Sequence, residues 1–326
     1  MGYSHFSIDE REGIARMRYA GVSIREIGRQ IGRSPSSVSR ELRRNTRKSF
    51  YGAHAATALY VRRRHRASSR LRHWTDDLIG YAMAGLLRRW SPEQVSGRLK
   101  LDHPDSAEMR ISFATLYRWI RQDRAMGGSM HRLLRRKGRS YRRARGVETR
   151  GRFNGALSIR ARPEIVARRG RFGDWEADTV YGFDGKTCIA TFNERKSLYL
   201  ISRKMPRPGS DALKEAAIAS LGGLRQGMRM TMTVDRGSEF ACYRDLKNMM
   251  GIDVYFADPY CSWQRGQNEN LNGLLRQYFP KGIDFNTVTQ EALDCVVAEI
   301  NSRPRKTLGY RAPAEVAANA RLLHLA

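Results

Sequence analysis

Gly173-Asp174-Trp175-Glu176-Ala177-Asp178-Thr179-Val180-Tyr181 is the stretch that decides how this chain is organised. Aromatic, β-branched and acidic residues alternate in it. In an extended strand Glu176, Asp178 and Val180 fall on one face, with Trp175, Ala177 and Thr179 on the other. Working outward, residues 174–183, 187–193 and 197–202 read as three strands in close succession. A helix over 211–221 and a strand over 228–234 follow. Then come a helical stretch near 243–250, a short strand at 254–256, and helices at 267–278 and 290–301. Three meandering strands followed by helices alternating with two more strands is the order of an α/β RNase H-like domain of the retroviral-integrase type. Other mixed-sheet folds share the pattern.

Three carboxylates fall on the elements where such a sheet would bring them together. Asp178 lies within the first strand. Asp235 ends the strand Met230-Thr231-Met232-Thr233-Val234 and precedes Arg236-Gly237, where the chain turns. Glu269 enters a helix with Leu271, Leu274 and Leu275 behind it. Phosphodiester cleavage by two metal ions needs acidic groups that hold hard cations roughly 3.5–4 Å apart. Taken singly, a strand-end Asp is an ordinary turn former or cap, but three acids at the right elements in the right order are more specific. Glu176 shares the face of Asp178 and is its competitor. Glu239 lies beyond the turn and is expected to support Asp235. Asp174, Asp184, Asp253 and Asp258 read as turn or surface residues, and Trp175 and Trp263 as core or loop anchors.

The front of the chain differs in texture and in charge. Of 60 Lys and Arg and 32 Asp and Glu, residues 1–172 hold 40 and 14, a net of +26, which leaves 20 and 18, a net of +2, for residues 173–326. Such an excess points to a polyanion, ordinarily nucleic acid. Ser7-Ile8-Asp9-Glu10 and Ser23-Ile24-Arg25-Glu26 are both written as capping boxes, with Gly21 and Gly32 as stops. Ser34-Pro35 opens a third helix in which Val38 and Leu42 face inward. The pattern describes a helix-turn-helix, with double-stranded DNA met by Arg33, Ser34, Ser36, Ser37, Ser39, Arg40, Arg43 and Arg44. A plain three-helix bundle with a solvated polar face is the alternative. A second helical region over 51–130, with starts at Ser91-Pro92 and Ser112, reads either as another helix-turn-helix or as a structural helical domain. Residues 131–150 carry nine basic side chains against Glu148, so 131–172 reads as a basic linker that also tracks phosphates. The four cysteines form no C-x-x-C pair and no run of 18 apolar residues exists, which argues against a zinc framework, a disulfide scaffold or a membrane span. A cytoplasmic, nucleoid-associated protein is expected.

Longer stretches carry a resemblance. Asp258-Pro259-Tyr260-Cys261-Ser262-Trp263-Gln264-Arg265-Gly266-Gln267-Asn268-Glu269-Asn270, continuing through Asn272-Gly273-Leu274-Leu275-Arg276-Gln277-Tyr278-Phe279-Pro280-Lys281-Gly282, resembles the third-carboxylate region of bacterial insertion-sequence transposases of the IS-thirty type. Segments 173–178 and 234–240 are similar to those bearing that family's two aspartates. Asn301-Ser302-Arg303-Pro304-Arg305-Lys306-Thr307-Leu308-Gly309-Tyr310 with Pro313-Ala314-Glu315 is similar to its C-terminal signature. The likeness implies four segments: a helix-turn-helix over 1–50, a second helical region over 51–130, the linker over 131–172, and an RNase H-like catalytic domain over 173–326. Asp178, Asp235 and Glu269 would form a DDE triad holding two Mg²⁺ ions, with Mn²⁺ as a substitute. Thirty-three residues separate Asp235 from Glu269, the spacing typical of this type. The implied activity is binding of terminal inverted repeats, strand cleavage and strand transfer into target DNA, by a homo-oligomer when two ends are synapsed. Arg236 departs from the Asn usual after the second aspartate and sets a guanidinium beside the expected metal site. A transcription regulator and a structure-specific nuclease are the rival functions.

Overall fold

The computed structural model describes residues 5–46, 50–69, 75–135, 155–183, 185–259 and 261–320. Asp184 and most of the basic run over 131–150 lie outside them. The chain divides into two compact units, Met1–Asp76 and Asp77–Ala326.

In the first unit α1 (Ile8–Tyr19), α2 (Ile24–Gln30), α3 (Pro35–Asn45) and α4 (Ala53–Ser69) enclose Ile14, Ile27, Val38, Leu42 and Ala56. The capping box at Ser7 and Glu10 forms in both directions, at 3.1 and 2.7 Å. At Ser23 only the half from Glu26 N–H to the hydroxyl forms, because the Glu26 carboxylate is engaged by Arg29 and Gln30. Gly28 lets α2 approach the entry to α3: a Cβ there would stand 2.7 Å from the Arg33 carbonyl oxygen. A buried ion pair, Arg11 to Glu41 at 2.7 Å, joins α1 to α3, and Tyr51 donates to the same carboxylate at 3.2 Å. α4 packs on α1, so this unit runs on to Asp76 rather than closing near residue 50.

The second unit opens with α5 (Asp76–Leu87), α6 (Pro92–Asp102) and α7 (Phe113–Ala125), packed around Leu78, Leu86, Trp90, Val95, Leu116 and Ile120. After these come β1 (Leu157–Ser158), α8 (Glu164–Ala167), β2 (Asp174–Tyr181), β3 (Cys188–Glu194), β4 (Leu200–Met205) and α9 (Ser210–Leu221). Then follow β5 (Thr231–Val234), α10 (Tyr243–Met250), β6 (Asp253–Phe256), α11 (Gly266–Tyr278), α12 (Gln290–Ser302) and α13 (Pro313–Asn319). The strands form one sheet in the order β1-β6-β5-β2-β3-β4, antiparallel from β2 to β4 and parallel among β2, β5, β6 and β1. One face buries Trp175, Phe192 and Met232 under α9 and α10. The other buries Val180, Ile189 and Leu200 under α11 and α12. A central strand flanked by an antiparallel pair on one side and parallel strands on the other, with helices on both faces, is the RNase H-like arrangement anticipated from the strand order.

The strand expected at 197–202 begins at Leu200, because Leu198 (φ 60°) occupies the turn from β3. The strand expected from 228 begins at Thr231, after a 3-10 turn over Gln226–Met228. No helix among the described residues is long and apolar enough to cross a membrane.

α6 is committed to the C-terminal segment. Arg98 binds Glu315 through two contacts of 2.6 Å, Gln94 donates to the Pro304 carbonyl at 2.7 Å, and Lys306 pairs with Glu93 at 2.7 Å. Gly97 faces the Tyr310 ring so closely that a Cβ would lie 2.3 Å from it. These contacts engage α6, while α7 keeps Tyr117, Arg118, Arg121 and Arg124 exposed.

Candidate active site

β2 and β5 run in parallel with Asp174 beside Thr231 and Glu176 beside Thr233. The offset is 57 residues (231 − 174), and 235 − 178 gives the same 57, so Asp235, one residue beyond β5, stands alongside Asp178. Sheet register alone therefore unites the two aspartates. Asp178 accepts from its neighbour's amide, Thr179 N–H, at 3.0 Å, and from Asn272 Nδ2 at 2.8 Å. Asp235 accepts from Gly237 N–H at 2.8 Å, which fixes the turn after β5.

A cation already stands between them. Arg265 ends a 3-10 turn over Ser262–Arg265, and its Nη2 donates to Asp235 at 2.9 Å. Its Nη1 donates to the Ala177 carbonyl at 3.2 Å and lies 3.7 Å from Asp178 Oδ1. Burial pushes the Asp178 carboxyl above its usual range; the guanidinium of Arg265 opposes that shift and the charge of Asp235 adds to it. Clustered carboxylate oxygens with a positive charge held among them form a donor set suited to hard divalent cations.

α11 closes the site from above. Asn268 donates to the Ala177 carbonyl at 3.3 Å, and Asn272, one turn later, holds Asp178. Glu269 is one residue, or about 100°, further round the helix from Asn268 and is exposed. Among the described residues no three His, Cys, Asp or Glu side chains come together as a metal-binding group. The structure thus brings Asp178 and Asp235 together and leaves Glu269 on the flank of the same helix.

Glu176 takes a different part from Asp178. It is buried in an ion pair with Arg195, and burial raises its pKa against the pull of Arg195, Arg162 and Arg265. That pairing leaves Asp178 as the carboxylate of β2 open to the site. Glu239 accepts from Thr179 Oγ1 at 2.7 Å and from Tyr181 at 3.4 Å, on the other face of β2, rather than supporting Asp235. Asp174 is no surface residue: it is fully buried, bonded to Thr231 Oγ1 at 2.7 Å and paired with Arg171. Trp175 is a core residue, whereas Trp263 is 72% exposed. Arg236 donates to the Ala257 carbonyl at 3.3 Å and so is drawn toward the end of β6.

Sequence reasoning does not single out Arg265, Asn268 and Asn272. Their signal lies in the spacing, since 265, 268 and 272 share one face of a helical turn.

On α3, Ser36, Ser39, Arg40, Arg43 and Arg44 are exposed and Ser37 is half-buried. Two expected DNA contacts have other work. Arg33 pairs with Glu10 at 2.7 Å, and the Ser34 hydroxyl accepts from Ser37 N–H at 3.3 Å to cap α3.

Comparison with known proteins follows the same division. A helix-turn-helix domain family matches residues 2–45. A transposase for insertion sequence element IS4351 from Bacteroides fragilis is 38% identical over 95% of this chain and 94% of its own length. The transposase InsI for insertion sequence element IS30C of Escherichia coli K12 is 36% identical, over 96% and 83%. The chain belongs to the IS30 family of transposases. The catalytic core domain of BIV integrase aligns with 46% of the chain and 95% of its own, at 18% identity and a TM-score of 0.36. The RNase H-like assignment of this transposase rests on its own strand order.

Proposed function

We propose that this transposase cuts and joins DNA at the Asp178–Asp235 pair, with Glu269 as the third member of a DDE triad. The observation that carries the reading is the side-by-side placement of two largely buried aspartates around the guanidinium of Arg265. The protein binds DNA and acts as a polynucleotidyl transferase, as its family does. Two Mg²⁺ ions, or Mn²⁺ in their place, would be held by Asp178, Asp235 and Glu269. When bound, such ions supply Lewis-acid activation of the attacking oxygen and stabilisation of the leaving one.

The chain's own residues set the conditions for that chemistry. Asn272 fixes the rotamer of Asp178 and Gly237 N–H fixes that of Asp235, so both carboxylates are oriented before any ligand arrives. Arg265 compensates their charge until then. For the triad to form, Glu269, on the first turn of α11, would have to turn toward the pair from its exposed position. The exposed face of α3 reads the terminal inverted repeats of the element, and hydrolysis at its ends frees the 3′-hydroxyl that attacks the target phosphodiester. Two such ends are processed together, in a homo-oligomer.

Strand cleavage on a duplex carrying the element's own end, with Mg²⁺ or Mn²⁺, tests this. Asp178→Ala, Asp235→Ala and Glu269→Gln should each lower cleavage by at least about 100-fold, a size typical of lost electrostatic stabilisation, while end binding persists. A Glu269→Gln variant that cuts at the wild-type rate would remove Glu269 from the triad. Full function in all three would favour a regulator. Cutting without preference for the terminal sequence would favour a structure-specific nuclease.

A further inference from the structure

The C-terminal signature at 301–310 is not absorbed by the active site. It forms one wall of a cavity of about 1000 Å³ whose other walls come from the end of α5, the start of α6, Arg135, α11, and Glu176 and Asn193 of the sheet. Arg303 and Arg305 line it. They are 2% and 8% exposed, yet among the described residues neither has a carboxylate partner. The Arg303 side chain donates to Gln277 Oε1 and the Tyr278 hydroxyl, and that of Arg305 to the Ile300 carbonyl. The Nε of each is buried without a hydrogen-bond acceptor.

More positive charge converges on the same space. Arg89 stacks on the Tyr278 ring at 4.2 Å and donates to the Gln277 carbonyl. Arg135 donates to Asn270 at 3.1 Å and brings its Nη2 onto Gly273, where a Cβ would stand 2.0 Å from it. The two carboxylates on the cavity wall are already neutralised, Glu93 by Lys306 and Glu176 by Arg195. Burial pushes Arg305 down to about 10, and Arg303 and Arg135 add repulsion. An assembly of guanidinium groups that repel one another, with buried donors unmet, costs stability unless an anion completes it. Guanidinium suits phosphate in particular, which it binds through two parallel donors.

We propose that this cavity is a phosphate clamp for the DNA strand that passes the active site, with Arg303 and Arg305 at its floor and Arg89 at its mouth. Gln264, Gln267 and Asn270 also line it, so the clamp opens beside the first turn of α11, where Glu269 lies. The assignment rests on reading α11 as the catalytic helix. It explains the Arg-Pro-Arg of the signature, because Pro304 turns the chain so that both flanking guanidinium groups face one cavity, while its carbonyl accepts from Gln94. The competing account is that Arg303 and Arg305 merely close the negative end of α12.

The salt dependence of DNA binding separates the two. Full-length wild type, Arg305→Gln, Arg89→Gln and Asp235→Ala are titrated with a forked random-sequence duplex over a range of salt, with thermal melts to verify folding. Each phosphate released from contact lowers the slope of log affinity against log salt by about 0.7–0.9. Arg305→Gln and Arg89→Gln should each show that loss. Asp235→Ala should keep the wild-type slope while losing cleavage. Should Arg305→Gln fail to fold, Arg89→Gln decides alone, since Arg89 is exposed. Wild-type slopes in both arginine variants, or a lowered melting temperature with an unchanged slope, would overturn the clamp in favour of helix closure. A wild type that cuts no DNA would undo the active-site reading and leave the slopes to be judged on their own.

Discussion

Arg265 stands between two aspartates that repel each other and are mostly out of water, with side-chain exposures of 9%, 18% and 13% for Arg265, Asp178 and Asp235. Its charge stabilises the metal-free site and competes with any cation for the same oxygens. Arg265→Ala should therefore lower the stability of the protein in EDTA by about 3 kcal/mol, the scale for breaking a buried ion pair, and Mn²⁺ should restore most of it. Melting curves with and without Mn²⁺, together with a calorimetric titration showing tighter Mn²⁺ binding than in wild type, check this. Weaker Mn²⁺ binding in Arg265→Ala would mean that the arginine helps to hold the site open for metal rather than blocking it. The two aspartates are legible in the sequence because strand alternation and a strand end fix where a side chain can point. Arg265 is not, because an arginine just before a helix gives no local sign of which sheet residues it will meet. Arg236 misleads for the same reason: adjacency to Asp235 in sequence suggests a guanidinium at the site, and the turn carries it to Ala257 instead.

Elements that bury a periodic apolar face are legible to within a few residues of their ends, as with α10 and α12. β1, α8 and α13 are not. Two residues of strand and four of helix are too short to show a period, and what defines α13 lies far away in sequence: Arg98 on α6, bound to Glu315. This docking carries a pH dependence. The hydrogen bonds from Arg98 hold the Glu315 carboxyl below its usual range. For Asp102, burial acts upward but is outweighed by the hydrogen bonds from Arg98 and Tyr81, so its carboxyl is also lowered. A carboxylate with a lowered folded pKa contributes stability above its unfolded pKa, about 4, and that contribution is lost as pH falls through the folded value. Protection factors against amide exchange, corrected for the intrinsic rate, should accordingly be high in α6 and α13 at neutral pH and fall below about pH 4, ahead of those in β2 and β3. A uniform fall across the unit would show that these carboxylates do not hold the docking.

At the scale of the whole molecule the basic excess lies early in the sequence, a net of +26 before residue 173 and +2 from there on. Positive charge alone gives affinity for any DNA, steeply weakened by salt; choice among sequences needs side chains at base edges. The exposed face of α3 offers these, and among the described residues Arg40 on it is tethered only to its own helix, through Ser36. A guanidinium in such a place suits guanine, and a good base contact is worth about 1–3 kcal/mol of discrimination. Arg40→Gln should thus reduce the preference for the element's terminal sequence over random duplex by about 10–100-fold, with random-sequence affinity changed by less than the removal of one phosphate contact. Cleavage of whatever DNA is held should persist. Asp235→Ala should give the converse, full sequence preference and no cutting. Competition binding with terminal and random duplexes, run beside a cleavage assay on both variants, measures the two outcomes together. Were Arg40→Gln to weaken both duplexes equally, Arg40 would be a backbone contact, and base reading would fall to Ser36, Ser39 and Arg43 on the same face.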